Sequence, residues 1–144
     1  MKNKEFIINA PDVVGEVIDN EAVILNLKRG LYYSCVTTAS NIWQKIEAGY
    51  NLQMIYQDLS HLYQGTEQEI KDSLIAFIDD LQKNDLIREV SIRTQESLKL
   101  TGNIIKMDFE IPLLTVHADM KDLLLLDPIH DVDETSGWPM PKAD

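Results

Sequence analysis

Hydrophobic spacing changes twice along this chain. Ala22-Val23-Ile24-Leu25-Asn26-Leu27 and Leu31-Tyr32-Tyr33-Ser34-Cys35-Val36 are short runs rich in β-branched and aromatic residues, separated by Lys28-Arg29-Gly30. Two such runs around a short glycine-containing connection predict a β-hairpin. Val13–Ile18 predicts a further strand, turning at Asp19-Asn20, so residues from about 5 to 36 read as strand-forming.

From residue 37 the apolar positions recur every three or four places, the period of a helix packed on one side. Thr37 or Thr38 is the expected cap of a first helix that ends at Gly49 and buries Ile42, Trp43 and Ile46. Leu52, Ile55, Tyr56, Leu59, Leu62 and Tyr63 mark a second helix, closed by Gly65. Thr66-Glu67-Gln68-Glu69 has the form of a capping box, opening a third helix with Ile70, Leu74, Phe77, Ile78 and Leu81 inward. Leu86 and Ile87 are the last expected core contacts. The fold class is therefore α+β, with N-terminal antiparallel strands followed by three helices and an extended C-terminal tail. Residues 5–89 form the expected domain, 90–106 a polar linker, and 107–144 a tail that is apolar to Leu126 and then acidic and proline-containing.

Charge removes several function classes. The net charge is −11, and residues 107–144 carry −7 of it, with nine acids against two lysines. Neither part has the basic patch that displaces counterions from phosphate, so no nucleic-acid partner is expected. Apolar runs such as Leu123–Leu126 are far too short to span a bilayer, and no membrane partner is expected. The N-terminus lacks a secretory pattern, and a single cysteine cannot form an internal disulfide; both fit the cytoplasm. Oligomeric state is not legible.

The sequence has no phosphate-binding glycine loop, HExxH, nucleophile elbow or paired CxxC. Cys35 reads as a small hydrophobe at a strand end rather than a nucleophile. His117, His130, Asp131 and Asp133 could hold a metal, but two histidines in an acidic tail make a poor ligand set. Asp131–Thr135 has the beginning of a calcium loop with its glycine one place late and its closing glutamate missing. Trp43 reads as core, whereas Trp138, between Gly137 and Pro139, would need a partner to cover it. No catalytic residue, cofactor or metal is expected, and the chain does not read as an enzyme.

The stretch from about Val13 to Ile87 resembles the PqqD family, also called the RiPP recognition element. The resemblance rests on three blocks in order: Glu21–Tyr33, Ala39-Ser40-Asn41-Ile42-Trp43, and Phe77–Ile87. Asp85 stands where the family often has glycine, a departure that bears on the helix stop. The resemblance implies a winged-helix-like arrangement and peptide capture. In such domains the leader of a precursor peptide adds as a strand to the sheet edge, against the third helix, and is presented to a maturation enzyme. The implied edge is Leu31–Val36, with Leu31, Tyr32, Tyr33, Ser34 and Cys35 as contacts. The implied wall is the third helix, through Lys71, Leu74, Ile75 and Ile78. Ile75 supports this independently, because it lies off the apolar stripe of its helix.

Phe109-Glu110-Ile111-Pro112-Leu113-Leu114-Thr115-Val116-His117-Ala118 resembles the leaders of lasso-type precursor peptides. Their pattern is an aromatic three residues before Pro, an aliphatic two after it and a glycine six after it. Phe109, Pro112 and Leu114 match; Ala118 replaces the glycine, and the threonine expected further on is absent. The tail then either docks in cis on its own domain, is itself the substrate presented to the enzyme, or is an ordinary terminal strand packing on the domain. Two other readings stand beside the recognition module. One is a precursor polypeptide with a fused recognition domain. The other is a winged-helix DNA-binding regulator, for which residues 37–83 offer only Lys45, Lys71 and Lys83.

Overall fold

A computed structural model describes residues 2–93, 102 and 104–117. The chain enters through β1 (Glu5–Ile8) and then forms an antiparallel meander of β2 (Val13–Ile18), β3 (Glu21–Asn26) and β4 (Leu31–Val36). Asp19 and Asn20 join β2 to β3 with φ of 51° and 64°. A two-residue hairpin turn needs positive φ at both central positions, and Asp and Asn tolerate it best after glycine. The β3–β4 connection is one residue longer than the sequence suggests: Leu27 leaves the strand, and Gly30 takes φ 71° to close the loop.

Three helices follow, α1 (Thr38–Glu47), α2 (Leu52–Leu62) and α3 (Glu67–Lys83). Thr66 caps α3, its oxygen accepting the Glu69 N–H at 3.1 Å, and Asn51 caps α2 by accepting the Met54 N–H at 2.9 Å. Thr37 does not cap α1; its hydroxyl donates to the Val36 carbonyl instead. Asp85, just past α3, adopts φ 57°, the left-handed conformation that explains why glycine suits this place. Arg29 from the β3–β4 loop pairs with its carboxylate.

The meander packs one face on the helices. Val13, Ala22, Ile24, Tyr33 and Cys35 meet Ile42, Trp43, Leu59, Leu74 and Phe77 in one buried cluster. Gly15 faces this cluster, and a Cβ there would stand 2.6 Å from Trp43 Nε1. The fully buried indole thus requires glycine opposite it.

The polar stretch after Ile87 begins inside the folded unit. β6 (Ile87–Val90) pairs antiparallel with β1, and the Arg93 N–H donates to buried Glu5 at 2.9 Å. The tail then contributes two elements. β7 (Met107–Asp108) runs parallel to β5 (Tyr63–Gln64), the short strand between α2 and α3. β8 (Thr115–His117) joins the meander, giving the order β2-β3-β4-β8.

Candidate functional site

The edge of β4 is the point on which the sequence reading turns. That reading makes Leu31–Val36 the edge that takes a guest strand, and in the structure β8 already lies antiparallel along it, with Tyr32 opposite His117, Tyr33 opposite Val116 and Ser34 opposite Thr115. The occupant is the end of the segment that resembles a leader. A bare strand edge leaves N–H and C=O groups unpaired, and a segment tethered to the same domain satisfies them without the entropic cost of bringing in a second molecule.

The aromatic, the proline and the aliphatic of the pattern each have a place. Phe109 sits edge-to-face on Tyr63, ring centroids 5.9 Å apart at 75°, and packs against the core. Pro112 is buried. Leu114 is half-buried against the same cluster, while Ile111 and Leu113 point to solvent. Glu110 accepts a hydrogen bond from the Thr37 hydroxyl at 3.3 Å. Between β7 and β8 the chain thus covers 109, 112 and 114 to different degrees and exposes 110, 111 and 113.

His117 is the contact that pattern matching missed. Its ring stacks on Tyr32 at 4.4 Å and 7°, and its Nε2 is hydrogen-bonded to Ser34 Oγ at 3.0 Å. The sequence contains no signal for it beyond a ring residue at an alternate strand position. Ala118, the proposed glycine equivalent, lies outside the described residues, as do His130, Asp131, Asp133 and Trp138.

The residues singled out on β4 divide by the strand's pleat. Tyr33 and Cys35 point into the core, so they can meet a guest strand only through their backbone, whereas Tyr32 and Ser34 offer side chains. Burial, with Glu21 nearby, pushes the Cys35 thiol up to about 12, which leaves it protonated and unreactive at neutral pH.

On α3, Leu74 and Ile78 are buried in the core. Lys71 lies over the Tyr56 ring and pairs with Glu67. Ile75 opens onto a cleft of about 220 Å³ with Lys2, Phe6 and Leu52, none of them on β4. The contacts the tail makes to Tyr32, Ser34, Thr37 and Tyr63 involve none of these α3 residues. A helical wheel shows that Ile75 leaves the main stripe but not which neighbour it then meets.

Among the described residues no group of three or more His, Cys, Asp or Glu side chains is placed to hold a metal ion. No helix among them is long and apolar enough to cross a membrane.

Comparison with known proteins agrees with this architecture. No curated protein matches the chain significantly. A solved structure of TbiB1 in complex with the TbiA(beta) leader peptide superposes with a TM-score of 0.54 at 27% identity, covering 56% of this chain and 93% of that one. The family model described as coenzyme PQQ synthesis protein D (PqqD) matches residues 21–87, the span from β3 to the first residue of β6. That span holds β3, β4, the three helices and the closing Leu86-Ile87 pair, and over residues 21–87 the chain is similar to the PqqD family.

Proposed function

We propose that this protein is a non-catalytic recognition module that binds the leader of a precursor peptide by strand addition at β4 and presents it to a maturation enzyme in peptide natural-product or cofactor biosynthesis. The observation that carries the reading is the docked segment itself. The chain runs on from β7, with Pro112 buried and Phe109 and Leu114 partly buried against the core, to pair with β4. The TbiB1 likeness, to a protein solved with a leader peptide, supports the same reading. Main-chain hydrogen bonds supply affinity that any sequence can share, and the seats for a ring, a proline and an aliphatic supply register. The tail acts as a built-in ligand in cis, so a leader in trans competes with it. The reducing cytoplasm suits a chain whose one cysteine is a buried free thiol.

The test uses the full chain with its tail loosened, Phe109→Ala/Leu114→Ala, and a fluorescent peptide of this chain's own residues 107–117. Saturable binding that a leader lacking its aromatic cannot match is the expected result. Absence of binding to the loosened variant would end the reading.

A second reading is favoured by one observation: the strand on β4 continues covalently into residues 118–144. In that case the tail is itself the presented substrate, a precursor fused to its recognition domain. Intact mass of the chain after coexpression with a maturation enzyme separates the two. A changed tail mass marks a substrate, and an unchanged one an adaptor.

A further inference from the structure

The sheet has a second face, turned away from the helices. A sheet with one solvated face normally alternates apolar inward with polar outward. Here the outward positions of β2, β3 and β4 are Val14, Ile18, Val23, Leu25, Tyr32 and Val36, against only Glu16, Glu21 and Ser34. Val14 is 49% exposed, Val36 52% and Ile18 62%. Between β2 and β3 these side chains line a shallow cleft of about 480 Å³, bordered by Glu16, Asp19 and Glu21. No lysine or arginine occurs from Asp12 through Leu27.

Register turns this face into rows. Val14, Leu25, Tyr32 and His117 stand side by side across four strands, and Glu16, Val23, Ser34 and Thr115 form the next row. The fourth member of each row comes from the tail. The outer face is thus complete only while a peptide strand occupies β4.

We infer that this outer face is the docking surface for a protein partner whose own patch is apolar with a Lys/Arg rim, and that the added peptide strand completes it. The inference rests on the reading that β4 takes peptide strands, and it makes the partner a reader of the loaded state. The chemistry of the occupant follows from charge. An apolar centre rimmed only by carboxylates attracts a basic rim, and it repels a second copy of a chain of net charge −11. The maturation enzyme is the partner assigned to this face, because it acts on a peptide held at β4, whether the chain's own tail or a leader that has displaced it.

The experiment measures binding of the full chain to a purified peptide-maturation enzyme from the same organism, by biolayer interferometry. Val14→Lys/Ile18→Lys removes apolar area and places like charge against the basic rim; it is expected to weaken binding at least tenfold. Glu16→Lys/Glu21→Lys, at exposed positions that carry no core contact, is expected to weaken it comparably and to flatten its salt dependence. If the first pair prevents folding, the second still decides. The Phe109→Ala/Leu114→Ala variant should bind the enzyme several-fold less tightly until the 107–117 peptide is added back. Enzyme binding unchanged by both charge variants, or absent in the wild type, overturns the inference. So does a wild-type dimer in sedimentation that Val14→Lys/Ile18→Lys disperses, because the face would then belong to a second copy. Binding of the labelled 107–117 peptide, measured on the Val14→Lys/Ile18→Lys change placed in the loosened background, keeps the two ideas apart. Retained peptide binding with unaffected enzyme binding sinks only this inference, whereas loss of peptide binding from the loosened chain itself sinks the peptide reading.

Discussion

Truncating Phe109 to alanine should open the β4 edge to a competing peptide. A phenylalanine buries roughly 150–250 Å² when fully enclosed, and Phe109 is mostly enclosed, so truncation exposes on the order of 100 Å². At about 25 cal/mol per Å², and with the edge-to-face contact to Tyr63 also lost, the docked tail weakens by roughly 2 to 3 kcal/mol. A ligand that needs the open form sees its Kd raised by the reciprocal of the open fraction. While the docked form dominates, a 2 kcal/mol loss multiplies that fraction about 30-fold. Phe109→Ala should therefore bind a fluorescent 107–117 peptide roughly 30-fold more tightly than wild type in an anisotropy titration. Because the tail docks only on the folded domain and Phe109 packs against its core, the same loss should also lower the melting temperature by several degrees. Equal affinity of wild type and variant would refute occupancy in cis.

Three further outcomes follow from the fold. Gly15→Ala drives a methyl into the fully buried Trp43 ring and should cost about 1–3 kcal/mol, read as a fall in the urea midpoint with m unchanged; an unchanged midpoint would show that the indole can move aside. Thr66→Ala removes the α3 cap and should cost about 1 kcal/mol by the same measurement, with Thr66→Asn close to neutral. Cys35 has a folded pKa raised from 9.0 to about 12, so its contribution to stability is intact below pH 9 and falls as pH rises from about 9 to about 12, where the unfolded thiol ionises and the folded one does not. Cys35→Ala should lessen that alkaline loss, and the native thiol should resist a disulfide reagent at pH 8 until the protein is unfolded.

How much of this was legible depends on the range of the signal. α2 and α3 were readable because Leu52, Ile55 and Leu59, and then Ile70, Leu74, Phe77 and Leu81, repeat at helical spacing over many turns, and Thr66 marks where α3 starts. The β2–β3–β4 meander was readable because its strands alternate and its turns carry Asp19-Asn20 and Gly30. β6 was not: Ile87-Arg88-Glu89-Val90 is too short and too charged to declare a strand, and its partner β1 lies at the far end of the domain. β5 and β7 have two residues each, below any periodic signal. In the tail, the Phe-x-x-Pro-x-Leu spacing marks residues that lie against the domain in the structure, but neither the register on β4 nor the stacking of His117 on Tyr32 could be read, because both are properties of two distant segments at once. The implied Ile75 wall illustrates the same limit, since periodicity gives a direction around a helix and not the surface it meets.

The most direct measurement is solution NMR of isotope-labelled Phe109→Ala/Leu114→Ala protein with an unlabelled 107–117 peptide, reading cross-strand contacts between the two. The account predicts intermolecular contacts that place the peptide's Val116 opposite Tyr33 and its His117 ring on Tyr32, with the largest shifts in Leu31–Val36 and Tyr63. A peptide that binds while leaving the Leu31–Val36 amides unshifted, moving instead the Ile75 cleft or the outer sheet face, would contradict it.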